Sequence, residues 1–518
     1  GIDKEILQKG RVRDYVRVVV FSTLVMWCIV VINGPLTELI NAYTMKTVQV
    51  YRDKRMAEQQ AYPLPTLAFA PEAPFPGIYK FESDTTFSPE TTIGTLISLT
   101  DDDVQDMLSQ FADLKTLEAE DIASTIRCLK ELGVKIIKKN NEYFVFGNGL
   151  NSFRAPKKKY LNAGNSGTLA RILMGLLTTN SFFKIKIMGD KSLSKRDMER
   201  VIKPLSKIGC IFEPKNKKTL PLTIQGTNFP LAQQHKEYLG SAQVKSSILM
   251  AALDTPGITT IKEKKLSRDH TENLLNTIGA DIKIKKFKTH RLISLRGQKD
   301  LDSFVLEIPG DPSSSAFFVA LTLLTKGSSL KIKNININPF RSGFIKILKK
   351  MNGNIKIYNL KKKFGEMVGD IIVKSSKLKP INFPKREITS TIDEFPILFI
   401  IASQIKGVST FTNIGELRKK ESDRIKNMEV GLKRIGIKTI STINSLKIYG
   451  NPNIKIKKAL EIYPKDDHRI AMSFFCLAQL LDGKMTIHNF ETVNTSFPKF
   501  LTLMKNKIGA KFEIKKKY

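Results

Sequence analysis

The chain has 518 residues, 42% of them hydrophobic and 26% charged, enough for several domains and a sizeable core. That composition excludes wholesale disorder, collagen-like repeats and a multi-span membrane protein. Its 84 Lys and Arg against 49 Asp and Glu leave a net charge of +35, so an anionic partner of some kind is the first question. Residues 1–110 hold 10 basic and 14 acidic residues, net −4, whereas residues 111–518 hold 74 and 35, net +39. Lys runs through the second part beside Ile and Asn, as in KIKIMGDK, so most of it is read as solvated faces. No single basic stripe or aromatic platform stands out, and a nucleic-acid partner is not expected. Cys28, Cys128, Cys210 and Cys476 form no CxxC pair, so neither a disulfide scaffold nor a metal site is expected.

In chain order, the first candidate element is residues 16–34. Val18 to Ile32 carry no charge, Arg11, Arg13 and Arg17 precede them, and Pro35 follows. The stretch predicts one hydrophobic helix, either a single membrane span with a cytoplasmic N-terminus or a buried core helix. Residues 60–92 are rich in Pro and aromatics and read as irregular or extended chain. From about residue 113 a pattern repeats: an apolar helix end, a Gly, then a short β-like run. Its copies centre on Gly133, Gly209, Gly279, Gly353, Gly436 and Gly509, at spacings of 76, 70, 74, 83 and 73 residues. Each Gly is expected to close a helix in a left-handed cap and feed a strand. Six copies at nearly constant period predict a repeated, layered α/β fold. The first half of the first copy looks missing or replaced.

Eight strings stand at expected turns before helices. They are GNSGTLAR from Gly164, GDKSLSKRDM from Gly189, SAQVKSS from Ser241, SRDHTE from Ser267, PGDPSSSAFF from Pro309, IDEFP from Ile392, KKESDRI from Lys419 and DHRIAM from Asp467. Each alone is compatible with ordinary capping or a surface ion pair. Together they bring Arg and Lys to helix entrances beside small residues, where backbone N–H groups and guanidinium forks suit anions. Asp393, Glu394, Lys420 and Glu421 are acid/base candidates.

In this order the strings resemble the 3-phosphoshikimate 1-carboxyvinyltransferase (EPSP synthase) family over about residues 113–518. The resemblance implies a two-domain clam of six βαβαββ units, here with the first unit incomplete and an unrelated N-terminal segment. The expected divisions are 1–112, with the candidate span 16–34, then lobes 113–307 and 308–518. The implied reaction transfers the enolpyruvyl group of phosphoenolpyruvate to the 5-hydroxyl of shikimate 3-phosphate, with release of phosphate and no cofactor. By resemblance, Asp393, Glu421 and Lys420 are catalytic. Asn165, Gly167, Arg196, Gln243, Arg424 and Arg469 serve the phosphoenolpyruvate side. Ser241, Ala242, Gln243, Ser267 and Lys420 serve the shikimate phosphate. A cytoplasmic monomer is implied for the enzyme part. Glyphosate occupies the phosphoenolpyruvate site in this family, and resistant branches carry Ala where Gly167 stands. The chain departs from the family at Asp197, where Pro is usual, and at Thr495, where Lys is frequent. The family's opening motif, PGDKSISHR, has no match in residues 1–112. The alternatives kept open are a membrane-anchored, catalytically inactive binding protein of the same family, and an artefactual join of two sequences near residue 110.

The missing motif gives the first prediction. Each charge-assisted hydrogen bond to a ligand phosphate is worth about 1.5–3 kcal/mol. Without the motif's Lys and Arg, turnover is expected to fall by roughly two to four decades. The comparison is phosphate release by residues 1–518 and by a chimera whose residues 1–112 are replaced with an intact family opening. Equal turnover would show that residues 1–112 supply equivalent groups.

Overall fold

The computed structural model describes residues 119–514, apart from 140, 141, 148, 151 and 457, together with the backbone of residues 18–20, 28–30 and 79–82. The repeat is plainest between residues 160 and 296. Strands Tyr160–Asn162 and Lys184–Met188 run parallel, while Leu222–Gln225 pairs antiparallel with the second and Ile211–Glu213 antiparallel with Leu222–Gln225. The next unit repeats that order with Gln234–Glu237, Ile258–Glu263, Arg291–Arg296 and Asp281–Lys286. Two later sheets, containing strands Ser329–Asn336 and Gly407–Thr412, keep the antiparallel part, with single parallel bridges at Gly310 and Asn382 in place of the first strand. In the sixth unit Leu460–Ile462 pairs parallel with Met485–Ile487.

Alternation sets the sheet faces. In Lys184–Met188, Ile185 and Ile187 are buried while Lys184 and Lys186 face solvent. This period-two pattern is what a sheet with one wet face requires, and it gives the Ile/Lys texture a structural explanation.

The repeat glycines end their helices largely as expected. Gly133, Gly209, Gly279, Gly436 and Gly509 have positive φ. In the fourth copy the left-handed residue is Asn352 (φ 71°) rather than Gly353, since Asn also tolerates that region.

The helices are α1 (Glu120–Glu131), α2 (Gly167–Leu177), α3 (Glu199–Ile208), α4 (Ala242–Ala252), α5 (His270–Thr277), α6 (Pro312–Leu324), α7 (Gly343–Lys350), α8 (Phe395–Ser403), α9 (Arg424–Arg434) and α10 (His468–Ala478). Every residue of α6 but the last, and every residue of α8 and α10 but the last of α10, is buried. A helix that is apolar all round must sit inside a core. Buried side chains form two separate cores, one within residues 126–308 and one within 316–510.

Two expectations for the N-terminal segment change. Residues 16–34 lie mostly outside the described residues, but the parts described, Val18–Val20 and Cys28–Val30, pair as antiparallel strands, so they are not one helix. β-Branched Val and Ile favour that pairing. Among the described residues no helix is long and apolar enough to cross a membrane. Tyr79–Glu82 pairs antiparallel with Glu142–Phe146, which also pairs with Lys135–Lys139. It thus takes the place the second strand holds in the following units, so part of the expected unrelated segment belongs to the first unit's sheet.

The segments built around these two cores, called the first and second lobe below, meet at a polar cluster around Glu366. Its carboxylate lies 3.0 Å from His270 Nδ1 and accepts hydrogen bonds from Asn273 (3.0 Å), Asn338 (3.0 Å) and Asn336 (3.1 Å). Burial would raise the Glu366 pKa, but His270 and the amide donors outweigh it and bring it down to about 2. A carboxyl whose folded pKa is depressed stabilises the fold above its unfolded pKa and loses that contribution as pH falls through the folded value. The unsubstituted chain is therefore expected to lose on the order of 3 kcal/mol between about pH 5 and pH 2 that Glu366→Gln does not lose. Urea unfolding across that range checks it, and parallel acid profiles for the two proteins would contradict it.

Candidate active site

The motif strings sit at the N-termini of the buried helices because their residues cap them. Ser166 Oγ accepts from Leu169 N–H at the start of α2, and Ser241 Oγ from Val244 N–H at the start of α4. Asp311 caps α6, Asp423 caps α9 and Asp467 caps α10. The free N–H groups and positive dipole ends of these helices favour negative charge.

In the first lobe, Arg171 donates to Gln243 Oε1 (2.7 Å) and Gly167 O (3.2 Å), and Gln243 donates to Thr168 Oγ1 (2.7 Å). This ties the α2 and α4 entrances together. Arg196 reaches in from the turn before α3, with Nη2 3.4 Å from Asn165 Oδ1, and Asn165 is itself fixed by donating to Asp190 (2.6 Å). A Cβ on Gly167 would lie 2.8 Å from Arg171 Nη1 and 2.9 Å from Arg196 Nη1, so only Gly lets both guanidinium groups sit against this turn. Ser267 donates to Glu263 Oε1 through its hydroxyl (2.5 Å) and its backbone N–H (2.9 Å), beside the buried Lys245 and Arg291. That network fixes the loop carrying Arg268.

In the second lobe, Arg424 is 1% exposed and pairs with Asp467 (2.8 Å) and Glu421 (2.6 Å). Arg469 donates to the Asp393 carbonyl (2.9 Å). Asp393 is the centre of the cluster. Its Oδ2 accepts from Arg268 of the first lobe and from Arg341 (3.0 Å), while Oδ1 has Lys420 Nζ at 3.7 Å and Arg424 Nη1 at 3.8 Å. Two more ion pairs cross between the lobes, Arg196–Glu421 (3.1 Å) and Arg200–Glu416 (3.3 Å).

Electrostatics divides these groups by role. Burial pushes the Asp393 carboxyl up, but Arg268, Arg469, Lys420 and Arg341 together hold it well below the usual range. Burial likewise opposes ionisation of Glu421, and Arg196 and Arg424 overcome it. Adjacent Glu394, whose partner is Ser313, goes the other way: burial and the Asp393 charge raise its pKa. Lys420 is lowered, because burial and nearby Arg424 outweigh the pull of Asp393. Burial and Arg469 bring His468 down to about 4, so it is neutral near pH 7. The cluster therefore offers two ionised carboxylates, a lysine whose pKa is lowered from its ordinary value, and guanidinium groups for anions.

Asn165, Gly167, Arg196, Gln243, Asp393, Lys420, Glu421, Arg424 and Arg469 all fall in this connected cluster. Ser241 and Ala242 form the entrance of α4 beside Gln243, and Ser267 supports the neighbouring loop. Sequence reasoning passed over four participants. Arg171 and Arg268 lie inside quoted strings, so their helix-entrance positions were signal enough. Arg341, from INPFRSG, and Asp121, in the first turn of α1, had none. Asp121 is pushed up to about 7, chiefly by burial and against the pull of Arg196.

The family model for EPSP synthase (3-phosphoshikimate 1-carboxyvinyltransferase) matches residues 114–504. A 3-phosphoshikimate 1-carboxyvinyltransferase of Petrotoga mobilis is 43% identical over 387 residues, covering 74% of this chain and 88% of that protein. One from Zymomonas mobilis is 40% identical over 402 residues, covering 77% and 88%. The solved EPSP synthase of Acinetobacter baumannii aligns with a TM-score of 0.66 and 39% identity, covering 75% of this chain and 88% of that one. The enolpyruvyl transferase NikO of Streptomyces tendae, at 14% identity and a TM-score of 0.58, shares the fold. With a family match over most of its length and relatives near 40% identity, this chain belongs to the EPSP synthase family.

Proposed function

We propose that the cleft binds phosphoenolpyruvate and shikimate 3-phosphate together and transfers the enolpyruvyl group to the 5-hydroxyl, releasing phosphate. The observation that carries this reading is the pair of ionised carboxylates, Asp393 and Glu421, interleaved with guanidinium groups from both lobes. The reactants bring two phosphates and two carboxylates, and only a dense cationic cleft holds them at contact. Arg196, Arg424 and Arg469 take the phosphoenolpyruvate anions. Ser241, Gln243, Ser267 and Arg268 face the shikimate phosphate. Asp393 accepts the proton of the 5-hydroxyl as its oxygen bonds to C2. Lys420 and Glu421 handle the proton gained by C3, and the tetrahedral adduct then expels phosphate by losing it again. An ionised Asp393 suits the first step, and the lowered Lys420 pKa suits the second. Lobes divided near residue 308 close on the pair. An inactive binding protein is the weaker reading, since the acid/base groups are present and electrostatically primed.

Two variants test the assignment by phosphate release from both substrates. Asp393→Asn is expected to lower kcat by about 10²–10⁴. Gly167→Ala meets only the far ends of two flexible side chains, so the fold survives while Arg196 is displaced. Its KM for phosphoenolpyruvate is expected to rise roughly 10- to 100-fold. Unchanged kcat in the first, or unchanged KM in the second, would refute the corresponding role.

A further inference from the structure

Asp393 has five cationic neighbours, four at its carboxylate and Arg469 at its backbone carbonyl, and they are not equivalent. Arg268 belongs to the other lobe, and Lys420 is 29% exposed and only 3.7 Å from Oδ1. Arg424 and Arg469 come from the entrances of α9 and α10, which face the ligand anions in the reading above. Arg341 differs from all of these. It is 2% exposed and spans two carboxylates of its own lobe: Nη1 donates to Asp393 Oδ2 (3.0 Å) and Nη2 to Asp311 Oδ1 (3.0 Å). Asp311 is in turn fixed as the cap of α6, accepting from Ser313 N–H (3.2 Å), Ser314 N–H (3.0 Å) and Ser314 Oγ (2.9 Å). The backbone agrees with this. A Cβ on Gly343 would collide with the hydroxyl oxygens of Ser390 and Thr391, so the segment ending at Gly343 is packed directly onto the loop that carries Asp393.

We propose that Arg341 is the positioning residue of the proton acceptor Asp393: its fork pins Oδ2 to the α6 cap and turns Oδ1 toward the reacting hydroxyl. This rests on Asp393 being the acceptor. Among the described residues Oδ1 has no hydrogen-bond partner, only the cations at 3.7 and 3.8 Å, so it is the oxygen left for substrate. When anionic ligands draw Arg268, Lys420, Arg424 and Arg469 toward themselves, Arg341 stays, because both ends of its fork are held inside one lobe. A fixed cation then keeps the carboxylate ionised without competing for the ligands. The groups facing Asp393 are Arg268, Arg341, Lys420, Arg424, Arg469 and the neighbouring Glu394, whose own pKa is raised by burial and by the Asp393 charge.

The test is the pH profile of kcat for phosphate release, with both substrates saturating, by the full chain and its variants. In the unsubstituted chain Asp393 should add no acid limb over the range where the chain stays folded. Arg341→Gln removes one opposite charge at contact, so an acid limb should rise by roughly 1–3 pH units. Its KM for phosphoenolpyruvate should hold. Arg341→Lys keeps the charge, so its limb should stay low, but an ammonium cannot bridge Asp393 and Asp311, and kcat should fall roughly 10-fold or more. An unmoved limb in Arg341→Gln, or full kcat in Arg341→Lys, overturns the proposal. If Arg341→Gln does not fold by near-UV circular dichroism, Arg341→Lys decides alone. Asp393→Asn separates the two readings. Retained turnover there refutes the acceptor role itself, whereas lost turnover with an unmoved Arg341→Gln limb refutes only the positioning role.

Discussion

A carboxylate kept ionised where two lobes meet is the constraint that organises this protein. An isolated buried charge costs far too much to persist, so Asp393 exists as an anion only because cations surround it. Those cations must be delivered from separate pieces of chain. Arg268 comes from the first lobe, Arg341 from the turn before α7, Lys420 from the turn before α9, Arg424 from the start of α9, and Arg469 from α10. Each in turn needs its own fixed partner. Asp467 holds Arg424, Asp311 holds Arg341, and Glu263 holds the loop that presents Arg268. The buried helices therefore do two things at once. Their apolar bodies fill the cores, and their capped N-termini place charged groups around one point.

The same arrangement explains why the high net charge is a poor guide to function. Many Lys residues, such as Lys184 and Lys186, lie on the wet face of a sheet and serve solubility. The site stays cationic, because Asp393, Glu421, Asp467 and Asp311 offset only part of the charge of Arg171, Arg196, Arg268, Arg341, Lys420, Arg424 and Arg469. Cross-lobe pairs such as Arg196–Glu421 join a cation of one lobe to a carboxylate of the other, so under the proposed function substrate anions have to compete with the protein's own carboxylates.

Much of this was legible in the residues because local chemistry and global fold agree. The period of the Gly-terminated helices gave the six units, and Asn352 substitutes for Gly by the same left-handed tolerance. The capping strings marked helix entrances, and their arginines marked the residues that converge on one cluster. What stayed hidden depends on long-range packing. Arg341 lies in a stretch with no acid/base neighbours, and only the fold brings Asp311 and Asp393, 30 and 52 residues away, to its two ends. Asp121 reads as an ordinary first-turn acid until burial beside Arg196 raises it. Tyr79–Glu82 carries no repeat signal, yet it joins the first unit's sheet by pairing with Glu142–Phe146.

The most direct measurement is a crystal structure of Asp393→Asn, slowed in turnover, with phosphoenolpyruvate and shikimate 3-phosphate bound. The account predicts that Arg196, Arg424 and Arg469 lie within about 3 Å of oxygens of phosphoenolpyruvate, and that the side chain of residue 393 faces the 5-hydroxyl. It also predicts that Arg341 still spans residues 311 and 393 while Arg268 has moved to the ligand. Ligands bound outside this cleft, or a 5-hydroxyl remote from residue 393, would contradict it.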